Sequence, residues 1–183
     1  LLSLMAKRHP VHDSLKRSIE LFLSLTLLIL LSPLLLITAI LIKATSRGSA
    51  FFTQTRIGEN GKKFTLWKFR TMVRDAEKNG PRWTAPNDKR ITTIGKFLRA
   101  THLDELPQLW NILRGDLSFI GPRPEMVELT ERYKNLPYYE IRHLIKPGLT
   151  GWAQINYRPS ASIEEAFETL KYNIYYIKKH SFI

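Results

Sequence analysis

The chain contains no cysteine, and its acidic residues are few: 16 Asp+Glu stand against 28 Lys+Arg, a formal charge of +12. The missing thiols exclude disulfides, thiolate zinc sites and a cysteine nucleophile together, and they fit a reducing compartment. The shortage of acid directs attention to anionic partners: nucleic acid, anionic lipid or phosphorylated small molecules. Internal repeats are also missing. At 183 residues the length suits one ordinary domain with an appendage. The opening "LLSLM" and the closing "KKHSFI", just past a helical pattern, read as the ends of a fragment, with the C-terminus truncated.

One long uncharged run is present. Leu21 to Ile42, "LFLSLTLLILLSPLLLITAILI", makes roughly 33 Å of helix at ~1.5 Å per residue, close to the ~30 Å of a bilayer core. It is too long for a secretory signal, and no small-residue cleavage site follows it. Membrane insertion is the expectation. Pro33 lacks an N–H, so the carbonyl of Ile29 loses its helical partner and the helix should bend; Ser32 can reach a freed carbonyl. Lys7, Arg8, Lys16 and Arg17 precede the run, and Lys43, Arg47 and Arg56 follow it. A spanning helix keeps its basic excess on one side. Two readings stay open at this point: a helix that enters, bends and leaves on the same side, and a kinked spanning helix.

Beyond the run, "AFFTQTRIGENGKKFTLWKF" predicts two strands around a Gly/Asn turn. "TMVRDAEKNG" predicts a short helix ending at Asn79-Gly80, "PRWTAPND" a polar loop, and "ITTIGKFLRA" one or two helical turns. "DELPQLWNILRG" predicts a helix with Pro107 in its first turn, an apolar stripe of Leu106, Leu109, Ile112 and Leu113, and Gly115 at its end. "SFIGPRPE" reads as a rigid loop with the next helix starting at Pro124-Glu125, and "KPGLTGW" as a turn cluster. A last helix opens on Ser162 and Glu165 in capping-box spacing, with Phe167, Leu170, Ile174 and Ile177 on one face. The fold class is α+β, mainly helical, lying on a membrane.

Residues 56 to 99 gather twelve Lys/Arg against Glu59, Asp75, Glu77 and Asp88. Nucleic acid, lipid headgroups at ~1 kcal/mol per basic residue, and a di- or triphosphate pocket all fit such a stretch, although most of its charges belong to a solvated face. Asp104 and Glu105 close that stretch at a helix start. Acids there complement the helix dipole without any function. Their basic surroundings, and the nearby "GPRP" that holds Arg123 rigidly, point instead to chemistry. Adjacent helical residues point in different directions, so the two acids would have different tasks.

"FTLWKFRTM", "RITTIGKFLRATHLDELPQLWNILRGDLSFIGPRPE" and "KPGLTGWAQINYR" closely resemble the bacterial sugar transferases, the monotopic phosphoglycosyl transferases that prime polyprenol-linked glycan assembly. The resemblance runs from about Lys16 onward. Ser49 stands where the family usually has proline, His102 replaces a common Ser or Thr, and the family continues past Ile183.

The resemblance implies transfer of a sugar-1-phosphate from a UDP-sugar to undecaprenyl (polyprenyl) phosphate, with release of UMP, as the first membrane step of exopolysaccharide assembly. "PYYEIRH" and "GPRWTAPNDKR" look most like the glucose-1-phosphate members, so UDP-glucose is favoured over UDP-galactose and other UDP-sugars. It implies Asp104 as the nucleophile, forming an aspartyl-phosphosugar, and as the ligand of Mg²⁺, which would offset the repulsion between a carboxylate and a diphosphate. Glu105 would position the metal or activate the incoming phosphate. Arg99 would grip the lipid phosphate, Lys68, Arg70 and Arg123 the diphosphate, and Arg158 the nucleotide or sugar. His102, His143, Trp67, Trp83 and Trp110 are read as structural.

It also implies re-entry at the Ser32-Pro33 break. Residues 1–45 would form an amphipathic entry and re-entrant helix, and residues 46–183 a catalytic domain on the cytoplasmic face of the bacterial inner membrane. Nucleic acid is not an expected partner, and a homo-oligomer is compatible with the pattern. The competing readings are a membrane-anchored basic module that binds nucleic acid or anionic lipid without catalysis, and a nucleotide-sugar hydrolase.

Overall fold

The computed structural model describes residues 10–76, 78, 88–157 and 163–179. Helix α1 (Pro10–Leu30) and helix α2 (Ser32–Thr45) meet at Leu31 with a bend of 58°. The bend has the expected cause. Pro33 cannot donate, and the Ser32 hydroxyl donates to the Ile29 carbonyl at 2.7 Å. No single described helix is long and apolar enough to cross a membrane, whereas the bent pair is, by length and composition.

Strands β1 (Phe51–Ile57) and β2 (Lys63–Phe69) form the predicted hairpin, pairing antiparallel from Phe51↔Phe69 to Ile57↔Lys63. Asn60 and Gly61 supply the positive-φ turn, at 55° and 72°. Helix α3 (Thr93–Ala100) is capped by the Thr92 side chain, which accepts from Gly95 N at 2.9 Å. A 3₁₀ turn, Leu103–Glu105, leads through Pro107 into α4 (Gln108–Arg114), and Gly115 ends it at φ 92°.

The remaining elements are β3 (Ser118–Ile120), α5 (Val127–Tyr133), a 3₁₀ turn Tyr139–His143, β4 (Gly148–Thr150), α6 (Trp152–Asn156) and α7 (Ile163–Lys179). Ser162 of the expected capping box lies outside the described residues. On α7, Leu170 and Ile177 are buried, and Phe167 and Ile174 pack half-buried beside them.

Three expectations are corrected. The described part of "TMVRDAEKNG" is extended and turn-like, because Val73 N donates to Arg90 O and Thr92 N to Thr71 O, tying its start to a distant stretch. Within it there are only the turn bonds Ala76 N to Val73 O and Lys78 N to Asp75 O, and Asn79-Gly80 lies outside the described residues. "SFIGPRPE" and "KPGLTGW" each contribute a short strand, and β3 and β4 pair in parallel. Backbones approach closely there: a Cβ on Gly148 would fall against the Gly121 nitrogen. Helix α5 begins at Val127, not at Pro124-Glu125, because the carbonyls of those two residues are taken by Arg56 and by Ile57 N.

Three apolar clusters hold the described elements together. Ile42, Ala50, Phe69 and Leu98 join α2, the hairpin and α3. Leu66, Leu109, Ile112 and Leu117 join β2 and α4, with Leu27, Leu28 and Leu31 of the bend packed against them. Tyr133, Tyr139, Ala166 and Leu170 join α5 to α7. The outer surfaces of α1 and α2 carry large apolar side chains with nothing over them, among them Phe22 at 74%, Leu30 at 68% and Leu36 at 63% exposure.

Candidate active site

Asp104 and Glu105 occupy the 3₁₀ turn between α3 and α4, and each element around them is fixed by a polar contact. Asn111, fully buried in α4, accepts from Trp67 N at 3.0 Å and donates to Thr65 O at 2.7 Å, so the helix behind the acids is stitched to the strand that carries Lys68. At the other end of α4, Arg17 of α1 donates to Ile112 O at 2.7 Å and Leu113 O at 2.9 Å, capping the exposed carbonyls. Glu20 of α1, also buried, accepts from the Ser118 hydroxyl at the start of β3.

The two acids differ sharply in their partners. Glu105 Oε1 accepts from Lys68 Nζ at 2.6 Å and Arg123 Nη2 at 3.2 Å. Burial pushes the Glu105 carboxyl up, but the two cations more than reverse this and hold it at about 2, below the ordinary 4.5. Lys68 is pulled below its ordinary value by burial and by Arg123, with Glu105 restoring part. Glu105 is therefore ionised at neutral pH.

Asp104 is 9% exposed and makes no ion pair within 4 Å among the described residues; its side chain accepts from its own backbone N–H. Burial raises it above the ordinary 3.8, Lys68 and Arg99 pull it back in part, and Glu105 pushes it further up. It is a carboxylate with open oxygens in a positive field. No three His/Cys/Asp/Glu side chains gather into a metal cage among the described residues. One open carboxylate is still the donor set that suits Mg²⁺ when substrate oxygens complete the shell.

A cavity of about 980 Å³ adjoins the turn, its wall including Glu105, Arg123, Arg56 and Arg142 at the polar end and Leu27 and Leu31 of the helix bend. Asp104, Lys68 and Arg99 are not among the residues that line this cavity; Lys68 reaches its wall through Glu105. His102, at φ 57°, lines the cavity and sets the turn. Arg99 Nε donates to the Thr71 hydroxyl at 2.8 Å.

Arg70 stands apart from this group. Its amino groups donate to Ser46 O, the Ser46 hydroxyl and Arg47 O at 2.7–2.9 Å, closing off α2 where the chain enters the hairpin. Arg158 lies outside the described residues. Asn111 and Arg142 were not anticipated, and Arg17 and Arg56 were read only as basic charges beside the apolar run and in the basic stretch. The two available signals were an Asn on the apolar face of "LWNIL" and an Arg between the apolar residues of "EIRHLI".

The family profile described as Bacterial sugar transferase matches residues 11–183. The chain is 37% identical over 173 residues to the UDP-N-acetylgalactosamine-undecaprenyl-phosphate N-acetylgalactosaminephosphotransferase of Aeromonas hydrophila, covering 94% of this chain and 41% of that one. It is 43% identical over 166 residues to the UDP-glucose:undecaprenyl-phosphate glucose-1-phosphate transferase of Klebsiella pneumoniae, covering 89% and 36%. To the exopolysaccharide production protein PSS of Rhizobium leguminosarum bv. phaseoli it is 40% identical over 176 residues, covering 92% and 88%. The chain thus spans about two fifths of the first two relatives and most of the third.

Proposed function

The chain belongs to the bacterial sugar transferase family, and from that premise we propose that it moves a sugar-1-phosphate from a UDP-sugar to a polyprenyl phosphate and releases UMP. The observation that carries this reading is the contrast within the acidic pair: Glu105 Oε1 accepts from both Lys68 and Arg123, while Asp104 is buried, has no ion-pair partner among the described residues and is raised above the ordinary aspartate value by burial.

An Asp104 oxygen attacks the sugar-bearing phosphorus. The bond from that phosphorus to the bridging oxygen breaks, and UMP leaves with its electron pair. An oxygen of the polyprenyl phosphate then attacks the same phosphorus, and the carboxylate of Asp104 leaves, regenerating the free acid anion. Two unit charges 4 Å apart repel by ~4 kcal/mol at an effective dielectric of 20, so the approach needs cations. Lys68, Arg99 and Arg123 supply fixed ones. Mg²⁺, held by Asp104 together with substrate oxygens, would further neutralise the diphosphate. Glu105 keeps Lys68 and Arg123 in place. Arg99 takes the lipid phosphate in this reading, and UDP-glucose is the favoured donor, as in the Klebsiella relative's name.

The bent helix is re-entrant in the same proposal, and the catalytic part lies on the cytoplasmic face. Support comes from both arms returning to one domain. Arg17, near the start of α1, is bound to the end of α4, and Ser46, just past α2, is bound to Arg70. A spanning helix would separate those ends by ~30 Å. The bend then places Leu27 and Leu31 at the cavity wall, where a lipid chain can stay in the bilayer while its phosphate meets a soluble nucleotide.

The test is UMP release across a panel of UDP-sugars with and without polyprenyl phosphate. Product that requires both substrates is expected. Turnover without the lipid would make the protein a nucleotide-sugar hydrolase, and no turnover with any UDP-sugar would overturn the reading.

A further inference from the structure

The loop that carries Arg123 is held in an unusual way. Four consecutive carbonyls each have a separate donor: Pro122 O takes Gly148 N at 2.9 Å, Arg123 O takes Arg142 Nη2 at 2.7 Å, Pro124 O takes Arg56 Nη1 at 3.0 Å, and Glu125 O takes Ile57 N at 3.0 Å. Two of the four donors are guanidinium groups brought from distant parts of the chain. Each of the two is itself oriented. Arg142 is 7% exposed, lies 5.1 Å over the Tyr139 ring and meets its hydroxyl at 3.3 Å. Arg56 donates its other amino group to Gln54 Oε1 at 2.6 Å, and Gln54 in turn reaches the sulfur of Met126 at 3.2 Å.

A carbonyl is satisfied equally well by a neutral amide, and burying a charge is costly unless the charge has a use. Here the buried Arg142 and the half-buried Arg56 flank a third cation, and all three line one cavity with Glu105 and Glu125. Three cations against these two carboxylates leave the wall net positive, which favours an anion seated there.

We propose that Arg56 and Arg142 are positioning residues for the anionic substrate: by holding the Arg123 and Pro124 carbonyls they aim the Arg123 guanidinium at the diphosphate and at Glu105. This rests on the UDP-sugar reading above. The clamp itself is a matter of loop geometry and is measured separately from turnover.

Arg56→Met and Arg142→Met each remove a charged, part-buried hydrogen bond from the loop that aims Arg123, so kcat/KM for the UDP-sugar should fall ~10- to 100-fold. Arg56→Lys and Arg142→Lys, which keep the charge but lose the planar fork, should recover part of it and carry the test should either Met variant fail to fold. In an Arg123→Ala background the same substitutions should change kcat/KM by less than about twofold, because residues that act through one another are not additive. Hydrogen exchange at residues 121–126 should rise ~10-fold in each Met variant, with α3 unchanged. Additive losses, single-variant effects within about twofold, or unaltered exchange in the loop would each overturn the clamp. A wild-type protein that releases no UMP defeats the functional reading, and the exchange measurement still decides the clamp.

Discussion

Replacing Lys68 by Met removes the closer of the two cations on Glu105 and should be the most destabilising single change at the site. The fall of Glu105 from 4.5 to about 2 corresponds to roughly 3 kcal/mol at about 1.4 kcal/mol per tenfold change in proton affinity. Arg123 supplies part of that, and the lowered proton affinity of Lys68 itself takes part back. The net expectation is a loss of roughly 2 kcal/mol, because breaking a partly buried pair leaves the other charge uncompensated. For a chain of this size that is a drop of roughly 4–8 °C in melting midpoint.

Arg123→Met should lose less than about 1 kcal/mol, since its side chain is 46% exposed and the solvent screens the pair. The sign with pH follows from the depressed carboxyl. Its contribution is fully present above the ordinary 4.5 and is lost as pH falls toward about 2. The gap between wild type and Lys68→Met, followed by thermal unfolding in detergent micelles, should therefore be roughly a third or more smaller at pH 3 than at pH 7. A gap that is unchanged between those pH values, or an Arg123→Met loss as large as that of Lys68→Met, would refute the pairing as drawn.

Other outcomes are open to direct measurement. Because burial raises Asp104 above 3.8, the acidic limb of the kcat/KM profile should fall at a pH above the ordinary aspartate range, and Asp104→Glu should move that limb. Gly148→Ala should lower the melting midpoint, because its Cβ meets the Gly121 backbone, where nothing flexible can give way. Pro33→Leu with Ser32→Ala should straighten the break and turn re-entry into a span. A single cysteine placed near position 12 would then become reactive to a periplasmic label, whereas in the wild-type background it should not; the lack of native cysteine keeps the experiment clean.

What could be read from the sequence was local. The Ser32-Pro33 bend, the hairpin turn at Asn60-Gly61 and the Pro107-to-Gly115 helix each rest on residues adjacent in the chain, and each lies where its own chemistry requires. The acidic pair was legible as a pair, and the prediction that its members differ was a matter of direction along a turn. What differs about them, two cations on Glu105 and none paired with Asp104 among the described residues, depends on Lys68 and Arg123 arriving from elsewhere.

Non-local pairing explains the misses. The parallel contact of β3 with β4 joins segments about thirty residues apart, each too short to show a strand pattern. Arg70 sits in the most basic stretch and reads there as a phosphate ligand, yet its donors close the end of α2. Arg17, Arg56, Asn111 and Arg142 look like ordinary surface or helix residues until their distant carbonyl partners are known.

The central claim is that Asp104 carries the phosphosugar. Intact-protein mass spectrometry after incubation with a UDP-sugar and Mg²⁺, in the absence of polyprenyl phosphate, tests it most directly. The account predicts an adduct of the mass of one hexose phosphate on the wild-type chain, discharged when polyprenyl phosphate is added and never formed on Asp104→Asn. An equal adduct on Asp104→Asn, or full lipid-dependent UMP release by that variant, would contradict it.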